Sequence, residues 1–153
     1  MFRNVASYVK QCYVYERTKI EQARSAGLMS HRVIESPWTV VAADIMGPFS
    51  KSKSGFAYVL VIQDLFTKWV ECFALRAANG KKICEALKEV VSRWDTPKLL
   101  LTNNGTEFVN QTLQSFAAEH GITHTTVPPY YPQANSVEHV NRILKTMIVA
   151  FLE

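Results

Sequence analysis

Three apolar, β-branched runs follow one another before any helical pattern begins: WTVVAADIM (38–46), FAYVLVIQD (56–64) and KWVECFALR (68–76). The first two are separated by GPFSKSKSG, a turn-rich loop carrying two lysines, so they predict an antiparallel pair that the third run extends. Helical and strand patterns then alternate. In NGKKICEALKEVVSRW (79–94), Ile83, Leu87, Val90, Val91 and Trp94 trace one helical face and lysines and glutamates the other. Pro97 ends it, KLLLT (98–102) makes a fourth strand, and TEFVNQTLQSFAAEHG (106–121) predicts a second helix with Val109, Leu113, Phe116 and Ala117 inward. ITHTTV is a short fifth strand. A third helix runs from about Ser136 to the end, with Val140, Leu144, Met147, Ile148 and Phe151 on its apolar side. The order β-β-β-α-β-α-β-α implies an α/β chain with a mixed five-stranded sheet and helices on its faces, a description several folds satisfy.

Upstream of these runs, Val5, Tyr8, Val9 and Cys12 fall at helical spacing and a charged stretch leads to Gly27, which reads as a helical arm plus linker. The N-terminal MFRNVASYVK has no apolar signal-peptide core, and no apolar run approaches the ~18 residues of a membrane span. The chain therefore reads as soluble, with no membrane partner and not secreted. Three cysteines, Cys12, Cys72 and Cys84, cannot all pair internally, which favours a reducing compartment. A net charge of +4 is compatible with a polyanionic partner without requiring one.

Three polar residues stand where this architecture brings chain ends together: Asp44 in VVAADIMG, Asn103 in LLLTNNG and Glu138 in PQANSVEHVNR. Each also has a plain structural role open to it. Asp44 can cap a strand end, Asn103 and Asn104 before Gly105 can form a turn, and Glu138 can close a capping box with Asn135. Asp64 ends an apolar strand too, but an antiparallel pairing would put it at the other end of the sheet from Asp44, roughly 20 Å or more away at ~3.3 Å per residue. On the third helix Glu138, Asn141, Arg142 and Lys145 lie at i, i+3, i+4 and i+7, one solvent-facing stripe with an acid first and cations behind it. A salt-bridged surface helix would look the same. An acid at a metal site followed by phosphate-grasping cations is also what strand cutting or joining in nucleic acid requires.

The runs WTVVAADIMGPF, YVLVIQDLFTKWVE, VVSRWDTPKLLLTNNGTEFVN, GITHTTVPPYYPQAN and VEHVNRILKTMI, in that order, closely resemble the catalytic core of retroviral and LTR-retrotransposon integrases, especially the Ty3/gypsy-type group. The resemblance covers 35–153, read as a catalytic core truncated at its C-terminus. It makes 1–34 a helical arm, the remnant of the integrase zinc-binding domain plus a linker. It implies an RNase H-like fold and a D,D,E site, with Asp44 and Glu138 as catalytic and metal-binding acids and Asn103 at the second acid position, where the family's T-D-N-G turn reads T-N-N-G. It implies DNA as partner, with Tyr130, Gln133, Asn141, Arg142 and Lys145 at nucleic-acid-binding positions, and Lys51, Lys53, Lys81 and Lys82 as further sequence-independent contacts.

The departures carry as much as the match. In the family two Mg²⁺ or Mn²⁺ ions drive an in-line phosphoryl displacement, and hard cations want anionic oxygen. An amide at Asn103 removes one formal charge, so metal binding should be weak or lost and integration chemistry impaired. The family's Cys-x-x-Cys appears as Cys12-Tyr13-Val14-Tyr15 and its paired histidines would precede Met1, so no zinc is expected. Ser136 and His139 stand where close relatives often have proline and arginine. Two other roles stay open: a weak metal-dependent nuclease, and a non-catalytic module that associates with itself or with intact integrase through the helix of 79–94, a dimerisation surface in the family. The resemblance implies the nucleus as location, with the cytoplasm as the alternative.

Overall fold

A computed structural model of the chain describes Cys12, residues 34–127 and residues 137–152, the side chains of Glu138 and Leu152 excepted. The arm expected over 1–34 lies almost entirely outside the described residues, as do Tyr130 and Gln133. Five strands, β1 (Val40–Met46), β2 (Tyr58–Asp64), β3 (Val70–Leu75), β4 (Leu99–Thr102) and β5 (Thr123–Thr126), alternate with α1 (Gly80–Arg93), α2 (Gln111–Glu119) and α3 (Val137–Leu152) in the expected order. The sheet runs β3-β2-β1-β4-β5. The first three strands pair antiparallel, while β1·β4 and β4·β5 are parallel. Parallel neighbours need a crossover, and the two helical patterns supply one each.

Strand alternation divides the side chains between two faces. Val41, Ala43, Leu60, Ile62, Leu75 and Leu100 share one buried cluster with Ile83, Leu87 and Val90 of α1 and Leu113, Phe116 and Ala117 of α2. Asp44, two residues from the end of β1, therefore points to the opposite face. Residues 30–138 form one unit and the body of α3 from His139 belongs to another, described by itself. Among the described residues no helix is long and apolar enough to cross a membrane.

Two expected helix faces are corrected. The second helix begins at Gln111, not Thr106, because Asn110 is its N-cap, accepting from the Leu113 amide at 3.0 Å. Ahead of it the Gly105 carbonyl accepts from the amides of Phe108 and Val109 in a turn that buries Phe108 completely and leaves Val109 half exposed. On α1 it is Cys84 and Ala86 that join the core beside Ile83, Leu87 and Val90, whereas Trp94 stays partly exposed. Its ring stacks on buried Trp38 at 5.1 Å and meets Trp69 edge-on at 5.9 Å. Glu71 ties this aromatic group together, accepting from the indole N–H groups of both Trp69 and Trp94 and pairing with Arg93.

On α3 the apolar side is also narrower than expected. Val140, Leu144 and Ile148 are half-buried, while Met147 and Phe151 are exposed, in line with Ile143. Asn141 is buried, not solvent-facing. At about 100° per residue it falls beside Val137 and Ile148, so the expected polar stripe reduces to Arg142 and Lys145, both exposed.

Candidate functional site

Parallel pairing of β1 with β4 matches Ala42 to Leu101, and two further residues along each strand come Asp44 and Asn103. Their side chains meet: Asn103 Nδ2 donates to Asp44 Oδ1 at 2.8 Å. The amide's other end is occupied as well, since Asn103 Oδ1 accepts from the Gly105 amide at 2.8 Å, the local turn that the N-N-G sequence favours. These two contacts fix which way the amide points. Turned by 180°, it would set an NH₂ against the Gly105 N–H and an oxygen against the Asp44 carboxylate, both repulsive. Asp44 Oδ1 also accepts from the amide of Ile45.

The other sequence-expected residues are placed unevenly. Glu138 is the second residue of α3, at the helix start, but its side chain lies outside the described residues. So does the cap expected from Asn135. Lys51, Lys53, Lys81 and Lys82 are all exposed. Asp64 is correctly separated from Asp44, yet by less than expected. It pairs with Val41 while Asp44 pairs with Val61, a three-residue offset worth about 10 Å, because Asp44 does not stand at the very end of its strand. The alternation also puts the two carboxylates on opposite faces. Asp64 is occupied elsewhere, accepting from the amides of Trp38, Phe66 and Thr67 and the Thr67 hydroxyl.

Sequence reasoning missed one pair beside the site. Thr102, the last residue of β4, is fully buried, and its hydroxyl meets His124 Nε2 of β5 at 2.9 Å and the Asn103 carbonyl at 2.9 Å. The signal available was a hydroxyl ending an apolar LLL run, where a buried polar group requires a partner.

A family model described as the integrase core domain matches residues 35–132. The chain belongs to the integrase core family. Its five-stranded mixed sheet is the RNase H-like fold of integrase catalytic cores, of retroviral and gypsy type. Gypsy retrotransposon integrase-like protein 1 of Bos taurus is 25% identical over 149 residues, covering 95% of this chain and 30% of that protein. The Gag-Pol polyprotein of woolly monkey sarcoma virus is 37% identical over 93 residues, 60% of this chain and 6% of the polyprotein. This chain thus spans about a third or less of the length of the curated relatives it matches. Among solved structures, the simian T-cell lymphotropic virus intasome in complex with PP2A regulatory subunit B56 gamma superposes with a TM-score of 0.68 at 21% identity, covering 99% of this chain and 53% of that one. The HTLV-2 integrase catalytic core domain in complex with magnesium gives 0.59 at 23% identity, over 76% of this chain and 72% of that one.

The Asn103 side chain, as it is held here, does not fit a divalent cation. A hard cation needs oxygens turned toward it. Here the Asn103 oxygen is turned away to Gly105, and its N–H donor, not an oxygen, faces Asp44 Oδ1. Among the described residues no group of three His, Cys, Asp or Glu side chains gathers for a metal.

Proposed function

We propose that this integrase core binds DNA but does not carry out the metal-dependent strand transfer of its lineage. The observation that supports this most directly is the Asn103 amide donating to Asp44. One of three carboxylates is replaced, and the replacement occupies an oxygen of another, Asp44, with an N–H donor. Arg142 and Lys145, one helical turn apart on α3 and both exposed, would grip successive phosphates, with Lys51, Lys53, Lys81 and Lys82 adding diffuse attraction. Asp44 and Asn103 then hold the ends of β1 and β4 together rather than activating a nucleophile. The nucleus is the compartment that suits such a role.

Affinity built on phosphate contacts is salt-dependent by counterion release. The association constant for duplex DNA should fall steeply between ~50 and ~200 mM salt, and Arg142→Ala with Lys145→Ala should reduce the logarithmic slope by about 2. A salt-indifferent constant would overturn the binding half of the proposal. Strand-transfer product with Mg²⁺ or Mn²⁺ would overturn the other half.

A second reading has its own observation. Ile143, Met147 and Phe151 recur every four residues on α3 and are 48%, 52% and 89% exposed, a stripe that suits self-association or pairing with intact integrase. The exposed charged face of α1 is the second candidate surface. Sedimentation across a hundredfold concentration range should show a rising mass, and a constant monomer would exclude self-association.

A further inference from the structure

Thr102 has one hydroxyl proton and two contacts to satisfy. Its oxygen lies 2.9 Å from the Asn103 carbonyl and 2.9 Å from His124 Nε2. A carbonyl can only accept, so the proton goes there, and the imidazole nitrogen has to donate. His124 is then the tautomer with its proton on Nε2. Its half-buried position favours the neutral ring, since desolvation pushes its pKa down.

The pairing of β5 with β4 shows what this donation accomplishes. His124 is matched to Leu100, so His124, Leu100 and Thr102 share the face covered by α1 and α2, whereas Asn103 projects to the other. The bonds therefore run through the sheet: His124 to the Thr102 hydroxyl, the hydroxyl to the Asn103 carbonyl, and the Asn103 side chain to Asp44 on the far face. The Thr102 carbonyl is held as well, accepting from Val127 at 2.7 Å. Position 103 is thus anchored at its carbonyl, at its Oδ1 by Gly105 and at its Nδ2 by Asp44. The first anchor depends on a side chain from another strand.

We propose that His124 is a positioning residue for the Asp44–Asn103 site, a fixed Nε2–H donor that aims the side chain at 103 through Thr102. The inference goes beyond DNA binding and stands whether or not DNA is bound. A hydroxyl freed from His124 would rotate among its rotamers, and the Asn103 carbonyl would lose its partner for part of the time.

The test uses the full ¹⁵N-labelled chain. A long-range ¹H–¹⁵N correlation at neutral pH should show the His124 ring with Nε2 protonated and Nδ1 bare. The Nδ1–H tautomer would overturn the proposal, and this result needs no variant to fold. The second readout is the Asn103 side-chain amide, whose Asp44-bound proton should resonate downfield of its geminal partner. In His124→Leu that separation should be lost. In His124→Gln, whose terminal NH₂ can replace the Nε2–H, it should return, which a general loss of packing would not produce. An unmoved Asn103 amide in a folded His124→Leu protein would also overturn the proposal. Duplex DNA affinity should be the same in all three proteins, so the outcome is separable from that of the binding assay.

Discussion

Asn103→Asp is expected to make the stability of this fold answer to divalent cations. The substitution is nearly isosteric, so the core is undisturbed, but the hydrogen bond to Asp44 at 2.8 Å is exchanged for a second carboxylate at the same place. Two carboxylates that close cannot both ionise freely, and one pKa rises. A carboxyl whose folded pKa is raised favours the fold below its unfolded value near ~3.9 and disfavours it as pH climbs through the raised value. Without metal the variant should therefore be less stable at pH 7 by ~1–3 kcal/mol and recover in acid. Mn²⁺ at about a hundred times its dissociation constant would return ~2.7 kcal/mol by linkage. Thermal melts of both proteins with and without Mn²⁺ decide it. Equal responses from two folded proteins would show that position 103 has no part in a metal site.

The element order and the sheet were legible because apolar runs of period two and amphipathic runs of period 3.6 are local signals, and they recur here with little ambiguity. What escaped depended on one polar side chain at a time. The start of α2 is set by Asn110 capping the Leu113 amide, and nothing in TEFVNQ distinguishes that cap from a helix already under way at Thr106. Trp94 fits the apolar face of α1 by spacing, yet Glu71, 23 residues earlier, holds its indole N–H at the surface. Asn141 sits at the margin between polar and apolar sectors of α3, where spacing alone cannot assign a side. At the candidate site, the meeting of positions 44 and 103 follows from the family resemblance. The direction of the amide does not, because it is decided by the Gly105 N–H. His124 and Thr102 are 22 positions apart on different strands, which no local pattern connects.

The largest loss of stability is expected at Asp64, which has no place in the proposed function. Its side chain is fully buried at the end of β2 and gathers four donors: the amides of Trp38 at 3.0 Å, Phe66 at 3.2 Å and Thr67 at 2.9 Å, and the Thr67 hydroxyl at 2.6 Å. One residue it holds has a left-handed backbone, Trp38 at φ 57°, a conformation that costs a non-glycine residue about 1–3 kcal/mol unless the surroundings impose it. Asp64→Ala orphans buried donors and removes that restraint, so a cost of about 4 kcal/mol is expected. Asp64→Asn keeps one acceptor oxygen but turns an NH₂ on the Thr67 amide, and should fall between. Burial pushes the Asp64 carboxyl up, but the Thr67 hydroxyl and the Thr67, Phe66 and Trp38 amides outweigh it and hold the pKa below the usual value. A depressed folded pKa means the contribution is complete above ~4 and is lost as pH falls through the folded value. Urea titrations followed by tryptophan fluorescence, which reports the adjoining Trp38–Trp94 stack, should show a wide gap between the parent and Asp64→Ala at pH 7 that narrows in acid. A gap constant with pH would mean that the buried carboxylate is not what holds this turn.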